Sequence, residues 1–119
     1  NFLKRYCVLL YGYDSSNFEM KISQAGDLMS SQLWSAKKVE FEKLATQLKT
    51  EDLDQVVSII ELREVDAWTF EVDLELKIRR KLAELKSKLR VELKLAPNSR
   101  SENNTYPFEV KSYEEQIIQ

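Results

Sequence analysis

The sequence predicts an α+β domain: a three-helix core with an acidic strand between helices 2 and 3, an N-terminal β-hairpin, and a C-terminal strand or tail. Three observations predict it. Phe70, Val72 and Leu74 alternate with Glu71, Asp73 and Glu75, the two-residue period of a strand. Trp34, Phe41, Leu44, Ala45 and Leu48 fall on one stripe at helical spacing. Asp14-Ser15-Ser16-Asn17 is a turn cluster between two apolar stretches. Only two Gly and two Pro occur in 119 residues, which favours long regular elements.

The elements follow in chain order. An apolar run ending at Tyr11-Gly12-Tyr13, the turn cluster, and the alternation of Phe18, Met20 and Ile22 with Glu19 and Lys21 predict a β-hairpin over Phe2 to Ile22. Ser23 to Ser31 reads as a linker or helix entry. A helix is predicted from about Ser31 to Leu48. Thr50 is a good N-cap, with Glu51 and Asp52 in the first turn, where the helix dipole favours acid. It opens a second helix to about Arg63, with Leu53, Val56, Val57 and Ile60 as its buried stripe. The acidic strand follows. A third helix is predicted from Leu76, because Ile78, Leu82, Leu85 and Leu89 recur at four, three and four. Val91, Leu93 and Leu95 suit either a strand or more helix. Asn98 to Thr105 reads as a mobile polar loop. A short strand is predicted over Pro107 to Val110, and a last helical turn around Ile117 and Ile118. The domain organisation expected is residues 1–30 as hairpin and linker, 31–95 as the helical domain with its strand, and 96–119 as a polar tail.

Composition narrows the function. Hydrophobic residues make up 43% and charged residues 32%, with a net charge of −2. The charge is segregated. Glu40 to Glu75 holds eleven acidic residues against Lys43, Lys49 and Arg63, a balance of −8; Leu76 to Leu95 holds eight basic residues against Glu84 and Glu92, a balance of +6. Such asymmetry bears on partner choice.

No histidine occurs, which removes Ser-His and Cys-His pairs and His-containing zinc sites. The single Cys7 lies in an apolar run, expected to be buried and inert; one cysteine forms no internal disulfide, which points to a reducing compartment. No Gly-rich phosphate loop is present. Glu71, Asp73 and Glu75 could serve as a carboxylate pair or an oxygen-only cation site, but a solvated strand face is the simpler account. The expectation is no enzyme, no catalytic residues, no metal and no cofactor. Basic residues from Lys77 to Lys94 spread around a helix without interleaved aromatics, so direct nucleic-acid binding is not expected. No apolar run reaches the roughly 18 to 20 residues of a membrane span. The opening Asn1-Phe2-Leu3-Lys4 has no initiator Met and no signal-peptide pattern, so the chain is expected to be part of a longer protein.

The acidic strand suggests a mechanism. A short strand between helices leaves an edge whose free N–H and C=O groups recruit another strand. A partner alternating apolar and basic residues would lay its apolar side chains beside Phe70, Val72 and Leu74, and its Lys or Arg against Glu71, Asp73 and Glu75.

Val56-Val57-Ser58-Ile59-Ile60-Glu61-Leu62-Arg63-Glu64, then Phe70-Glu71-Val72-Asp73-Leu74-Glu75, then Leu82-Ala83-Glu84-Leu85, together resemble an extraterminal domain. That domain occurs in bromodomain-and-extraterminal proteins, and a related version ends YEATS-family transcription proteins. The resemblance covers about Ala36 to Arg90. It implies a three-helix extraterminal-like core, a nuclear transcription or chromatin setting, and binding of short Lys-rich amphipathic peptides by strand addition at Val57, Ile60, Phe70, Glu71, Val72, Asp73, Leu74 and Glu75. The alternative reading is a structural or oligomerisation subunit of a larger assembly, with homo-oligomer contacts through residues 78–95.

Overall fold

A computed structural model of the chain describes residues 1–100 and 102–118. Its elements are α1 (Phe2–Tyr11), β1 (Tyr13–Asp14), α2 (Phe18–Asp27), α3 (Ser31–Leu48), β2 (Leu53–Asp66), β3 (Thr69–Arg80), β4 (Ala83–Pro97) and β5 (Phe108–Ile117). The strands form one antiparallel sheet in the order β1-β2-β3-β4-β5. The fold is α+β, but its centre is a long-stranded meander and not a three-helix core. The expected fold class is therefore corrected.

The N-terminal hairpin is replaced by two helices. Asn1 caps α1 by accepting from the backbone N–H groups of Leu3 (2.9 Å) and Lys4 (3.3 Å). Phe2, Leu3, Tyr6, Cys7 and Leu10 then recur at helical spacing and are all buried. Asp14 does make the expected turn, its carboxylate accepting from the N–H groups of Ser16 and Asn17. The turn opens α2 and not a second strand. Phe18 and Ile22 share a face under either period, because four residues is both two strand repeats and about one helical turn. Met20 separates the readings: a strand would bury it, and it is 56% exposed.

The helix expected over 31–48 forms. Ser30 caps it through the N–H of Leu33, and Trp34, Phe41, Leu44, Ala45 and Leu48 all join or pack against the core. Gly26 in α2 lets Trp34 lie flat on it; a Cβ there would come within 2.6 Å of the indole ring. Thr50 does not open a second helix. Its hydroxyl donates to the carbonyl of Gln47 (3.1 Å) and helps close α3. The chain then extends into β2, as the β-branched Val56, Val57, Ile59 and Ile60 favour.

The predicted third helix is also absent. Residues 76–80 continue β3, Arg80 pairs with Ala83 across a two-residue turn, and β4 returns. The leucine spacing misleads for a geometric reason. Residues seven apart share a helix face, yet Ile78 and Leu85 are also cross-strand partners in this hairpin. Leu82 decides between the readings: a helix buries it, and here it is fully exposed. The C-terminal segment is a strand through Ile117 and not a helical turn.

The helices cover one sheet face. Val72, Leu74, Val91, Leu93 and Val110 point into it, fully buried with Tyr6, Cys7 and Met29. This core draws on residues 1–30, 31–95 and 96–119 alike. The polar segment after Pro97 is held in place. Asn98 donates its side-chain amide to the carbonyls of Asn104 and Tyr106, and buried Asn104 donates to that of Phe108. Arg100 donates to the carbonyls of Gly26 (2.9 Å) and Met29 (2.7 Å), satisfying the C-terminal end of α2.

Candidate functional site

The residues expected to bind peptide divide between two strands. Phe70 to Glu75 lie on β3, which pairs with β2 along one side and β4 along the other over its whole length. No edge is open there, so an added strand would have to displace one of the chain's own. Val57 and Ile60 lie on β2. Val57 packs on the core, whereas Ile60 sits in a β-bulge and is exposed. Beyond Gln55 the outer edge of β2 has no strand partner among the described residues, but bulges at Ile60 and Val65 interrupt its ladder, a device that blunts edge-to-edge pairing.

The bulge at Ile60 also resets the register, so Glu61 and Arg63 share a face with Glu71 and Asp73. The carboxylates expected to await a partner's cations are answered from within. Arg63 donates to Glu61 (2.6 Å), Glu71 (3.2 Å) and Asp73 (2.9 Å). Arg90, cross-strand from Asp73, grips both its oxygens at 2.9 and 3.1 Å. Hydrogen bonds from Arg90 and then Arg63 hold the Asp73 carboxyl well below the usual carboxylate range, against a smaller opposing effect of desolvation. The arrangement is a structural clamp across three strands. Arg63 and Arg90 were legible only from register. Each is an odd-numbered step from an apolar neighbour in an alternating strand, but the Arg63 segment reads as helix and the Arg90 segment as either strand or helix.

Other chemistry is sparse. Among the described residues no group of His, Cys, Asp or Glu could hold a metal ion. Cys7 is buried, and burial pushes its thiol up to about 12, so it is a poor nucleophile. Tyr11 donates a short hydrogen bond to Glu115, tying α1 to β5. Among the described residues no helix is long and apolar enough to cross a membrane.

Three surface features stand out: between α2 and α3, Phe18, Ile22, Trp34, Phe41 and Ala45 line an apolar pocket of about 160 Å³, and the other two lie at the ends of the sheet. At one end Phe2, Phe70, Leu95, Trp68 and Phe108 line an apolar cup of about 240 Å³. Phe108 meets both Phe2 and Trp68 edge-on at 6.1 Å, and Trp68 remains 44% and Phe108 37% exposed. At the other end the β3–β4 hairpin runs out past the core, with Ile78, Leu82 and Leu85 ringed by Lys77, Arg79, Arg80, Lys81, Lys86 and Lys88.

No family model matches the chain, and no curated protein matches it. Solved structures do match. A TrwG component of a type IV secretion system from Bartonella birtlesii is 16% identical with a TM-score of 0.77, over 98% of this chain and 88% of that one. The VirB8 protein of Agrobacterium tumefaciens is 11% identical with a TM-score of 0.77, over 99% and 89%. A periplasmic fragment of TraM is 10% identical with a TM-score of 0.65, over 98% and 93%. At these identities the likeness is one of fold. It replaces the extraterminal and YEATS resemblance, and the nuclear, transcription and chromatin setting implied by that resemblance falls with it. A neighbour described as periplasmic points away from a nucleus.

Proposed function

We propose that this chain is a structural, non-enzymatic subunit of a larger assembly of the type IV secretion kind. The observation that supports the reading best is the extent of the fold match. It takes in 98% of this chain and 88% of the TrwG component, leaving no sizeable part of either outside the shared architecture. The chain's own chemistry agrees in kind. Its buried polar group, the Asp73 clamp, ties three of the chain's own strands together. Its exposed features include an apolar cup and a basic hairpin, shapes suited to protein contacts.

The test is made in the host that carries the protein. A tagged copy should co-purify with the other components of a secretion assembly, and its deletion should abolish secretion. Recovery at the mass of the free chain, with secretion intact in the deletion, would overturn the reading.

A further inference from the structure

We propose that the β3–β4 hairpin docks on an anionic lipid surface, Leu82 and Leu85 entering the headgroup region while the lysines around them meet lipid phosphates. The proposal goes beyond the reading of the chain as an assembly subunit and does not depend on it.

The hairpin is built to project. The register of β5 with β4 ends at Leu89, so residues 83–86 have β3 as their sole strand partner among the described residues, and all four are exposed. Lys81 and Leu82 form the two-residue turn, and Lys81 has a φ of 56°, a left-handed value that favours glycine. That turn puts Leu82 at the apex, fully exposed. The two faces behind it differ. Ile78 and Leu85 are cross-strand partners on one face, where with Arg80, Ala83 and Glu84 they line an apolar hollow of about 410 Å³. Lys77 and Lys86 are cross-strand partners on the other. Like charges directly opposite each other destabilise a strand pair, and neither lysine makes an ion pair among the described residues, whereas Arg79 and Arg80 pair with Asp54 and Glu51. Lysines on a strand edge commonly serve to block edge pairing. That role explains neither a leucine at the apex nor the apolar face behind it.

The combination defines the partner's chemistry. Apolar side chains ringed by cations settle at the boundary between headgroups and acyl chains, while lysine stems run along apolar surface and lift their ammonium groups to the phosphates. Residues 77–88 carry six cations against Glu84, within the range of about four to eight that suits anionic lipid. The net charge of the chain is −2, so with +5 on these residues the remainder carries −7. An anionic surface therefore repels the rest of the molecule and selects this end. Nucleic acid fits less well. No aromatic lies between residues 77 and 88 to stack on a base, and a phosphate backbone offers Leu82 and Leu85 nothing to pack on. By itself one hairpin tip also falls short of the roughly 1,200 Å² of a stable protein interface, whereas a lipid surface adapts to a narrow probe. Few apolar groups enter, so the contact is weak and reversible, and salt weakens it further.

Co-sedimentation with phosphatidylcholine vesicles, with and without phosphatidylglycerol, reads the contact. The purified protein should bind the anionic vesicles and not the neutral ones, and added salt should release it. Lys77→Gln with Lys86→Gln should weaken binding by roughly fivefold per charge removed, and Leu82→Ser by roughly tenfold. All three residues are exposed, so the urea midpoint of these variants should stay at that of the wild type. Insertion is read separately. An environment-sensitive fluorophore on Leu82→Cys should shift to the blue with anionic vesicles. The same label on Ala67→Cys, beyond the far end of a strand roughly 36 Å long, should not. The native Cys7 is buried and takes up no label. Failure to bind anionic vesicles at low salt overturns the proposal, as does binding unchanged by Leu82→Ser, or a blue shift at Ala67→Cys and none at Leu82→Cys. Binding to a DNA or RNA oligonucleotide without binding to vesicles assigns the hairpin to nucleic acid and overturns it as well. Each of these results leaves co-purification with secretion components, the test of the subunit reading, unaffected.

Discussion

From Thr69 to Leu76, β3 lies under the helices: Val72 and Leu74 are fully buried, and on the opposite face Asp73 is clasped by two arginines. From Lys77 to Arg80 the same strand keeps the same two neighbours and alternates as far as Arg79, and Arg79 and Arg80 pair with Asp54 and Glu51, yet Ile78 is only half-buried and Lys77 has no ion-pair partner among the described residues. Alternation makes both halves strand. Cover makes one half core and leaves the other as surface. The covered half should therefore govern whether the protein folds, and the bare half what it touches once folded.

The largest effect should come from truncating matched apolar residues in the two halves. Leu74→Ala opens a cavity at a fully buried site and should destabilise by about 2–5 kcal/mol, whereas Leu85→Ala, mostly exposed, should stay within about 0.5 kcal/mol. Urea unfolding of both variants makes the comparison. Because the core joins residues from Phe2 to Val110, the wild type should unfold in one transition. Equal losses at the two sites would mean that something covers the hairpin as it covers the core.

The next effect separates the polar faces. Asp73→Asn removes the charge gripped by Arg90 and Arg63 and should destabilise by about 1–3 kcal/mol. Lys86→Gln, on the bare half, should change nothing measurable. The pH dependence follows from the direction of the shift. A carboxyl held below its ordinary value binds its proton less readily in the folded state than in the unfolded chain. Its contribution is complete above the unfolded value of about 3.9 and is lost as the pH falls below it. Wild type should lose stability between about pH 4 and pH 2 more steeply than Asp73→Asn does. Parallel acid profiles would show that the clamp carries no weight.

The same contrast explains what was legible in the sequence. The strand at Phe70–Glu75 reads correctly because its alternation has no competing period. The helix over 31–48 reads correctly because its aromatic stripe is long. Phe18/Ile22 and Ile78/Leu85 mislead because the first separation satisfies helix and strand alike and the second satisfies helix and hairpin alike, and only Met20 and Leu82, whose exposure differs between the readings, tell them apart. The Lys81-Leu82 turn contains none of the Gly or Asn that marks a two-residue hairpin, so nothing local announces the reversal. The acidic face was legible, but its occupants were not. Finding that Arg63 and Arg90 flank Asp73 requires the pairing of three strands, and pairing is a long-range property.

The smallest expected effect bears on that turn. Lys81 holds a left-handed φ that a side chain resists and glycine does not. Lys81→Gly should relieve that strain, while the freer unfolded chain takes back part of the gain. The net result should be a stabilisation of about 0.5–1 kcal/mol, read as a small rise in urea midpoint with an unchanged slope. If Lys81→Gly instead destabilises the protein, the turn is held by contacts of the lysine side chain and not strained by its backbone. The β3–β4 hairpin would then be stabilised at its turn by that side chain.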